Sequence, residues 1–226
     1  MQPNASPFNA LPPAVTALAA VVFGVEVMFL LAERGLMGGA QGVGWRLAAL
    51  TDYGFLPPVL DWMLANNRYP PEQLVRFVSY PLLHVSFTHA MFALVFVLAL
   101  GKMVAEAFSQ TAFLAIFWLS AIVGALVYGL LPLGDFALVG AYPGAFGLIG
   151  SYTFLLWADP ARAERRWQAF TLIGVLLGIQ LLFKLFFGGG NDWAADLAGF
   201  ATGFALSVAL GPGGGPGLWL ARLRKR

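Results

Sequence analysis

Six stretches of this chain are apolar on nearly every position rather than along one stripe: residues 14–32, 89–104, 111–131, 144–157, 167–187 and 193–210. A helix that is apolar all round is buried in a large core or in lipid. Runs of about 20 apolar residues match the ~30 Å hydrocarbon layer of a bilayer. The pattern predicts an all-α membrane protein, a single domain over residues 1–226 built as a bundle of six transmembrane helices. The stretch 33–75 between the first two spans is too polar to cross, yet it carries Trp45, Leu47, Tyr53, Phe55, Trp62, Met63 and Leu64. Pro57-Pro58 and Pro70-Pro71 divide it. That mixture predicts short elements lying in the membrane interface, where Trp and Tyr are favoured.

The fourth span is the exception. It covers only 14 residues before Asp159-Pro160 stops it, roughly 21 Å of helix against a ~30 Å core. Its N-terminal end, near residues 142–144, is therefore expected below one membrane surface, reached through a non-helical stretch at 132–143. Irregular backbone at that depth is tolerated only where it is buried in protein or lines a wet cavity. Gly144, Gly147 and Gly150 lie three apart, close to one helix face. Such a face lets neighbouring backbones approach closely inside a membrane. Further along, Lys184 is expected to snorkel, 188–190 to form a flexible turn, and Asn191 or Asp192 to cap the sixth span.

Composition agrees: 59% hydrophobic, 11% charged and a mean hydropathy of +0.77 exclude an ordinary soluble domain. The absence of cysteine rules out disulfides and thiolate metal sites. Charge placement sets the orientation. Arg162, Arg165 and Arg166 lie between spans four and five, and Arg222, Arg224, Lys225 and Arg226 lie in the tail at 218–226. Basic residues in short loops mark the cytoplasmic side. Both termini are thus expected to be cytoplasmic, with the 33–75 loop and the sunken end of the fourth span facing outward. Residues 1–11 carry no Lys or Arg, so no secretory signal is expected there.

The stretch Arg76-Phe77-Val78-Ser79-Tyr80-Pro81-Leu82-Leu83-His84, followed by Val85-Ser86-Phe87-Thr88-His89, resembles the start of the second span of rhomboid intramembrane serine proteases. Leu100-Gly101 with Glu106 is similar to the cytoplasmic end of that span. Residues 140–150 resemble the family's Gly-x-Ser-Gly helix, and Asp196-Leu197-Ala198-Gly199-Phe200-Ala201-Thr202-Gly203 its sixth-span pattern, which normally opens with His. The matches run from Arg76 to Gly203 in the family's order. The resemblance implies a bacterial-type rhomboid-like bundle with a short, sunken fourth helix in an inner membrane. It also implies binding or structural roles for Arg76, His84, His89, Glu106, Gly144, Gly147, Asp196, Gly199 and Gly203.

The departures bear on activity. The resemblance implies a Ser nucleophile on the short helix, a His base on the sixth span and an oxyanion hole completed by a His and an Asn of the second span. Counting from the matched glycines, the nucleophile position holds Pro143 and the base position Asp196. The Asn position holds Ala93, and only His89 is retained. Proline has neither a hydroxyl to attack with nor an N–H to donate. An ordinary carboxylate, with a pKa near ~3.9, is a weak base at neutral pH. The expectation is a catalytically inactive rhomboid, a pseudoprotease with no catalytic residue, no metal and no cofactor. Its expected partners are transmembrane protein clients or a membrane protein complex in the lipid bilayer, not nucleic acid. Derlins and inactive rhomboids are its precedents in the family.

The remaining polar residues allow two other readings. Ser86 or Ser151 would be the nucleophile of a still active protease, although Ser86 reads as a helix cap and Ser151 as bonded to its own i−4 carbonyl. Glu26, His89 and Asp196 would line a proton-coupled conduit, without the inverted repeat of a transporter. His84 is expected to be a hydrogen-bonded loop histidine, and Glu106 to touch the ends of neighbouring helices. Two histidines with Asp196 form only a loose metal-ligand set. Asp196 is expected to bond His89, Tyr142 or water, tying the second, fourth and sixth spans together.

Overall fold

The computed structural model describes residues 10–132, 136–187 and 191–211. The turn expected at 188–190, the basic tail at 218–226 and the side chains of Arg162 and Lys184 lie outside what it describes.

The chain starts with α1 (Pro13–Glu33), followed by five short helices: α2 (Gly39–Gly42), α3 (Trp45–Tyr53), α4 (Pro57–Asn66), α5 (Pro71–Leu74) and α6 (Arg76–Ser79). The two proline pairs do more than divide this segment. Each supplies proline to the first turn of a helix, α4 and α5, where the missing N–H has no partner to lose. A 3-10 turn over Tyr80–Leu82 leads to α7 (Phe87–Ala107), α8 (Gln110–Leu130) and α9 (Tyr142–Ala158). Ser86 and Ser109 cap α7 and α8, accepting the amide N–H of His89 at 3.2 Å and of Ala112 at 3.0 Å.

α9 has 17 residues instead of 14, because Tyr142 and Pro143 already belong to its first turn and Ala158 extends its end. At about 26 Å it is still shorter than the hydrocarbon core. The expected fifth span also shifts. Asp159 accepts the N–H of Ala161 and starts a 3-10 segment over Pro160–Phe170, so α10 (Thr171–Phe187) begins four residues later than the apolar run. α11 (Trp193–Leu210) follows; Asp192 stands at its N-cap without a capping side-chain bond. Four of the described helices, α1, α7, α8 and α11, are long and apolar enough to cross a membrane.

α9 is the centre. Every residue from Pro143 to Ser151 is buried, with α7, α8 and α11 around it. The glycines make this possible. A Cβ on Gly203 would collide with the carbonyl oxygen of Gly147, and one on Gly199 with that of Pro143. Gly150 faces the carbonyl of Phe200, Gly147 faces the Ser120 side chain of α8, and Gly144 meets the Phe117 ring. Gly124 of α8 completes the set, with room for a Cβ blocked at 2.8 Å by the Ala195 carbonyl and by Pro143. α8, α9 and α11 therefore meet backbone to backbone, the geometry small residues permit between membrane helices. α1 packs outside this trio, against α7.

Gly203→Leu should lower stability in detergent by about 3 kcal/mol or more, since the opposing atom is backbone and cannot turn away. Gly178→Ala, where a Cβ meets nothing within 4 Å, should leave thermal unfolding unchanged or raise it. Equal melting temperatures for Gly203→Leu and the unmodified protein would contradict this packing.

Candidate functional site

The stretch ahead of α9 is held by backbone bonds. Phe55 and Leu138 exchange N–H···O bonds at 3.1 and 2.8 Å, and Gly140 donates to the Tyr80 carbonyl at 3.0 Å. Gly140 has φ +104°, and a Cβ there would sit 2.8 Å from His89 Cε1. Only glycine allows the chain to turn this close to the histidine. The next residues start α9, with Pro143 as its second residue.

Above Pro143 lies a cavity of about 140 Å³, bordered by His89, Tyr142, Gln180, Asp192 and Asp196, with Leu138 and Val139 on its apolar side. The Tyr142 ring stacks on His89 with centroids 4.7 Å apart, and its hydroxyl donates to the His89 carbonyl at 3.1 Å. Asp196 is 1% exposed. Its Oδ2 accepts from Gln180 Nε2 at 2.6 Å, while Asp196 Oδ1, Gln180 Oε1 and His89 Nδ1 have no hydrogen-bond partner among the described residues. This corrects the expected Asp196 network. No hydrogen bond joins Asp196 to His89 or Tyr142 among the described residues; the carboxylate takes the amide of α10 instead. The bond thus ties α11 to α10, not to α7 and α9. The Tyr142 hydroxyl is committed to the His89 carbonyl, whereas the Gln180 amide brings two N–H groups.

A second network lies beside the first. Arg46 of α3 grips both carboxylate oxygens of Glu26 at 2.8 and 2.9 Å and also bonds Glu33. Its Nη1 donates to the His84 carbonyl at 2.8 Å, and its guanidinium lies 5.1 Å from the centre of the Phe29 ring. Hydrogen bonding to Glu26 raises the Arg46 pKa further, so the charge is permanent. His84, 1% exposed, accepts the Ala141 N–H on Nε2 at 3.3 Å. Burial, reinforced by nearby His89, lowers the His84 pKa to about 3; the ring is neutral and able to accept. A continuous path of polar contacts therefore runs from α1 through α3 and His84 to the first turn of α9. Glu26, one of the polar-conduit candidates, is consumed by this network.

Other expected residues lie elsewhere. Arg76 bonds the carbonyls of Thr51 and Gly54 at 2.9 and 2.8 Å and so fixes α6 to the end of α3. Glu106 pairs with Lys102 one turn earlier at 2.8 Å, a bridge within α7. Ala93 is fully buried in the core. Ser86 caps α7 through its oxygen. Ser151 differs from its expected bonding: its hydroxyl donates across the interface to the Gly203 carbonyl at 3.2 Å and accepts from Ser207 at 2.7 Å. The close approach at Gly203 brings that carbonyl within reach. No group of three or more His, Cys, Asp or Glu residues suited to a metal occurs among the described residues.

Four residues escaped the sequence reading: Arg46, Tyr80, Gln180 and Asp192 as a cavity residue. Tyr80 is fully buried, and its hydroxyl donates to the Ala121 carbonyl at 2.8 Å. Gln180 left a signal, being a lone amide inside the apolar run 171–187, and such residues usually bond across to a neighbouring helix. Arg46 left none, since its partner Glu26 is 20 residues away. Residues 71–213 match the family model described as Rhomboid domain. No curated protein matches the chain.

Two outcomes follow from the Arg46 network. Arg46→Met leaves Glu26 buried and unpaired and should cost about 3–5 kcal/mol in detergent unfolding, whereas adding Glu26→Leu should recover part of that loss. His84 has a folded pKa below its unfolded value of 6.5. Its contribution is therefore complete above pH 6.5 and is lost as pH falls toward about 3, because the unfolded chain takes the proton first. In His84→Gln the decline of melting temperature over that interval should be shallower; parallel curves would refute the assignment.

Proposed function

The chain belongs to the rhomboid family, and within it we propose that this protein is a pseudoprotease, one that binds transmembrane clients or a membrane partner complex without cleaving them. The observation that carries the reading is the chemistry around the cavity at the start of α9. The position aligned with the family's nucleophile is Pro143, and the position aligned with its base is Asp196, whose Oδ2 is bonded to Gln180. Ala93 supplies no amide for an oxyanion. A nucleophile, its base and a side-chain oxyanion donor are thus missing together, while the cavity and the packing that frames it are kept.

Relocation of the nucleophile has no support in the geometry. Ser151 is fully buried and bonded to Gly203 and Ser207, and the Ser86 oxygen is the cap of α7. Holding, escorting or handing over membrane proteins is the function that such a framework supports. The proposed topology has α9 and α10 as spans additional to α1, α7, α8 and α11, with the start of α9 below the outer surface of a bacterial inner membrane. Both termini and the arginines at 162, 165 and 166 face the cytoplasm in this arrangement.

The purified protein should neither cleave generic rhomboid substrates nor react with a fluorophosphonate probe. Pro143→Ser alone should remain inert, because Ala93 and Asp196 are unchanged. Probe labelling that disappears in Ser86→Ala or Ser151→Ala would overturn the proposal in favour of a relocated nucleophile. Capture of membrane proteins in mild detergent, read by mass spectrometry, would name the client.

A further inference from the structure

We propose that the groove between α1 and α3 is a binding site for one acyl chain of a bilayer phospholipid. The site is separate from the cavity above Pro143 and does not depend on whether that cavity is catalytic.

The groove has a volume of about 360 Å³. Val25, Met28 and Phe29 of α1 line one side, Ala48 and Ala49 of α3 the other, and Leu83 completes the lining. Among the lining residues only Asp52 and Tyr53 carry a side-chain oxygen, and both stand at the end of α3. An apolar space of this kind does not hold water, and left empty its walls forfeit contacts on one side. Position in the bilayer decides what fills it. Val25 to Phe29 lie four to eight residues before Glu33, the last residue of α1, about 6–12 Å along the helix axis. α1 is long and apolar enough to cross a membrane, so this part of it stands at the depth of acyl chains. Trp45 and Tyr53, residue types favoured at headgroup level, border the same groove and are exposed. Val21, one turn before Val25 on the same face, is exposed as well. The groove therefore continues into the lipid-facing surface of α1. A transmembrane helix, about 10 Å wide, would lodge less than one turn in this volume, whereas a single hydrocarbon chain threads it. A lipid tail gains no hydrophobic free energy by leaving other tails; the groove selects one by touching it on two sides. The seated chain also bears on the Arg46 network. Phe29 carries the Arg46 guanidinium 5.1 Å from its ring centre, and Leu83 immediately precedes His84.

The test uses the full chain in phosphatidylcholine nanodiscs doped with a phosphatidylcholine that bears a diazirine in its acyl chain. After illumination, labelled positions are mapped by mass spectrometry. Labelling of Val25, Met28, Ala48 and Ala49 is expected to exceed that of Phe92 and Val95, exposed residues of α7 that meet lipid without a groove. Ala48→Trp places a ring in the groove and should bring labelling of α1 down to the α7 level. Ala49→Leu serves as a second variant should the first fail to fold. Equal labelling of the groove and of α7, or an unchanged excess in folded Ala48→Trp and Ala49→Leu, overturns the proposal. So does loss of the excess on adding a Leu-Ala transmembrane peptide, which would assign the groove to a helix. A fluorophosphonate probe on the same nanodiscs reads the Pro143 region separately, so failure of the lipid site leaves the pseudoprotease assignment untouched.

Discussion

Where Gly203 of α11 lies on the carbonyl of Gly147, no atom separates the two backbones, and a single methyl group would push them apart. The same is true of Gly199 against Pro143. Within lipid there is no solvent-driven force to squeeze helices together, so association depends on close van der Waals packing and on bonds across the interface. These contacts set the distance between α9 and α11, and that distance determines what else can form. The Ser151 hydroxyl reaches the Gly203 carbonyl across the gap. Asp196, one turn before Gly199, is carried to the mouth of α9 next to Pro143. The site is thus a consequence of the glycine contacts rather than an independent feature.

The interfacial helices solve a different problem. A carboxylate within a span is expensive unless paired, and Glu26 is 1% exposed. Arg46 answers it bidentately, the geometry its planar guanidinium suits, and spends a remaining N–H on the His84 carbonyl. α3 is therefore fastened to α1 and to the strip before α7 at one point. Removing either charge alone strands the other, whereas the pair together with its carbonyl contact is largely satisfied. The interfacial loop and the α9 turn are coupled through His84, which bonds to each side of itself: carbonyl to Arg46, ring to Ala141.

The residues that could be read in the sequence share one property: their signal is local. Gly144, Gly147 and Gly150 declare a close-packed face through spacing alone, and Gly199 with Gly203 does the same on α11. Ser86 declares a cap by preceding an apolar run. The residues that escaped act at a distance. Arg46 sits in a segment without a clear period, and nothing near it points to Glu26. Glu106 pairs locally, with Lys102 at i−4. The start of α9 falls within the 142–144 stretch where the short run places it, and Pro143 stands in a first helical turn, which accepts proline.

That acceptance explains how a site can persist after its chemistry is gone. At the second position of α9 the missing N–H costs no helical bond, so Pro143 occupies the position without disturbing the Gly199 contact beneath it. At position 196 the change is less neutral. A buried carboxyl demands a donor, and Gln180 of α10 provides one on Oδ2. A site that had merely decayed would be expected to fill with apolar side chains, because these carry no desolvation cost. Here the cavity keeps two aspartates, a histidine and an amide oxygen at its border.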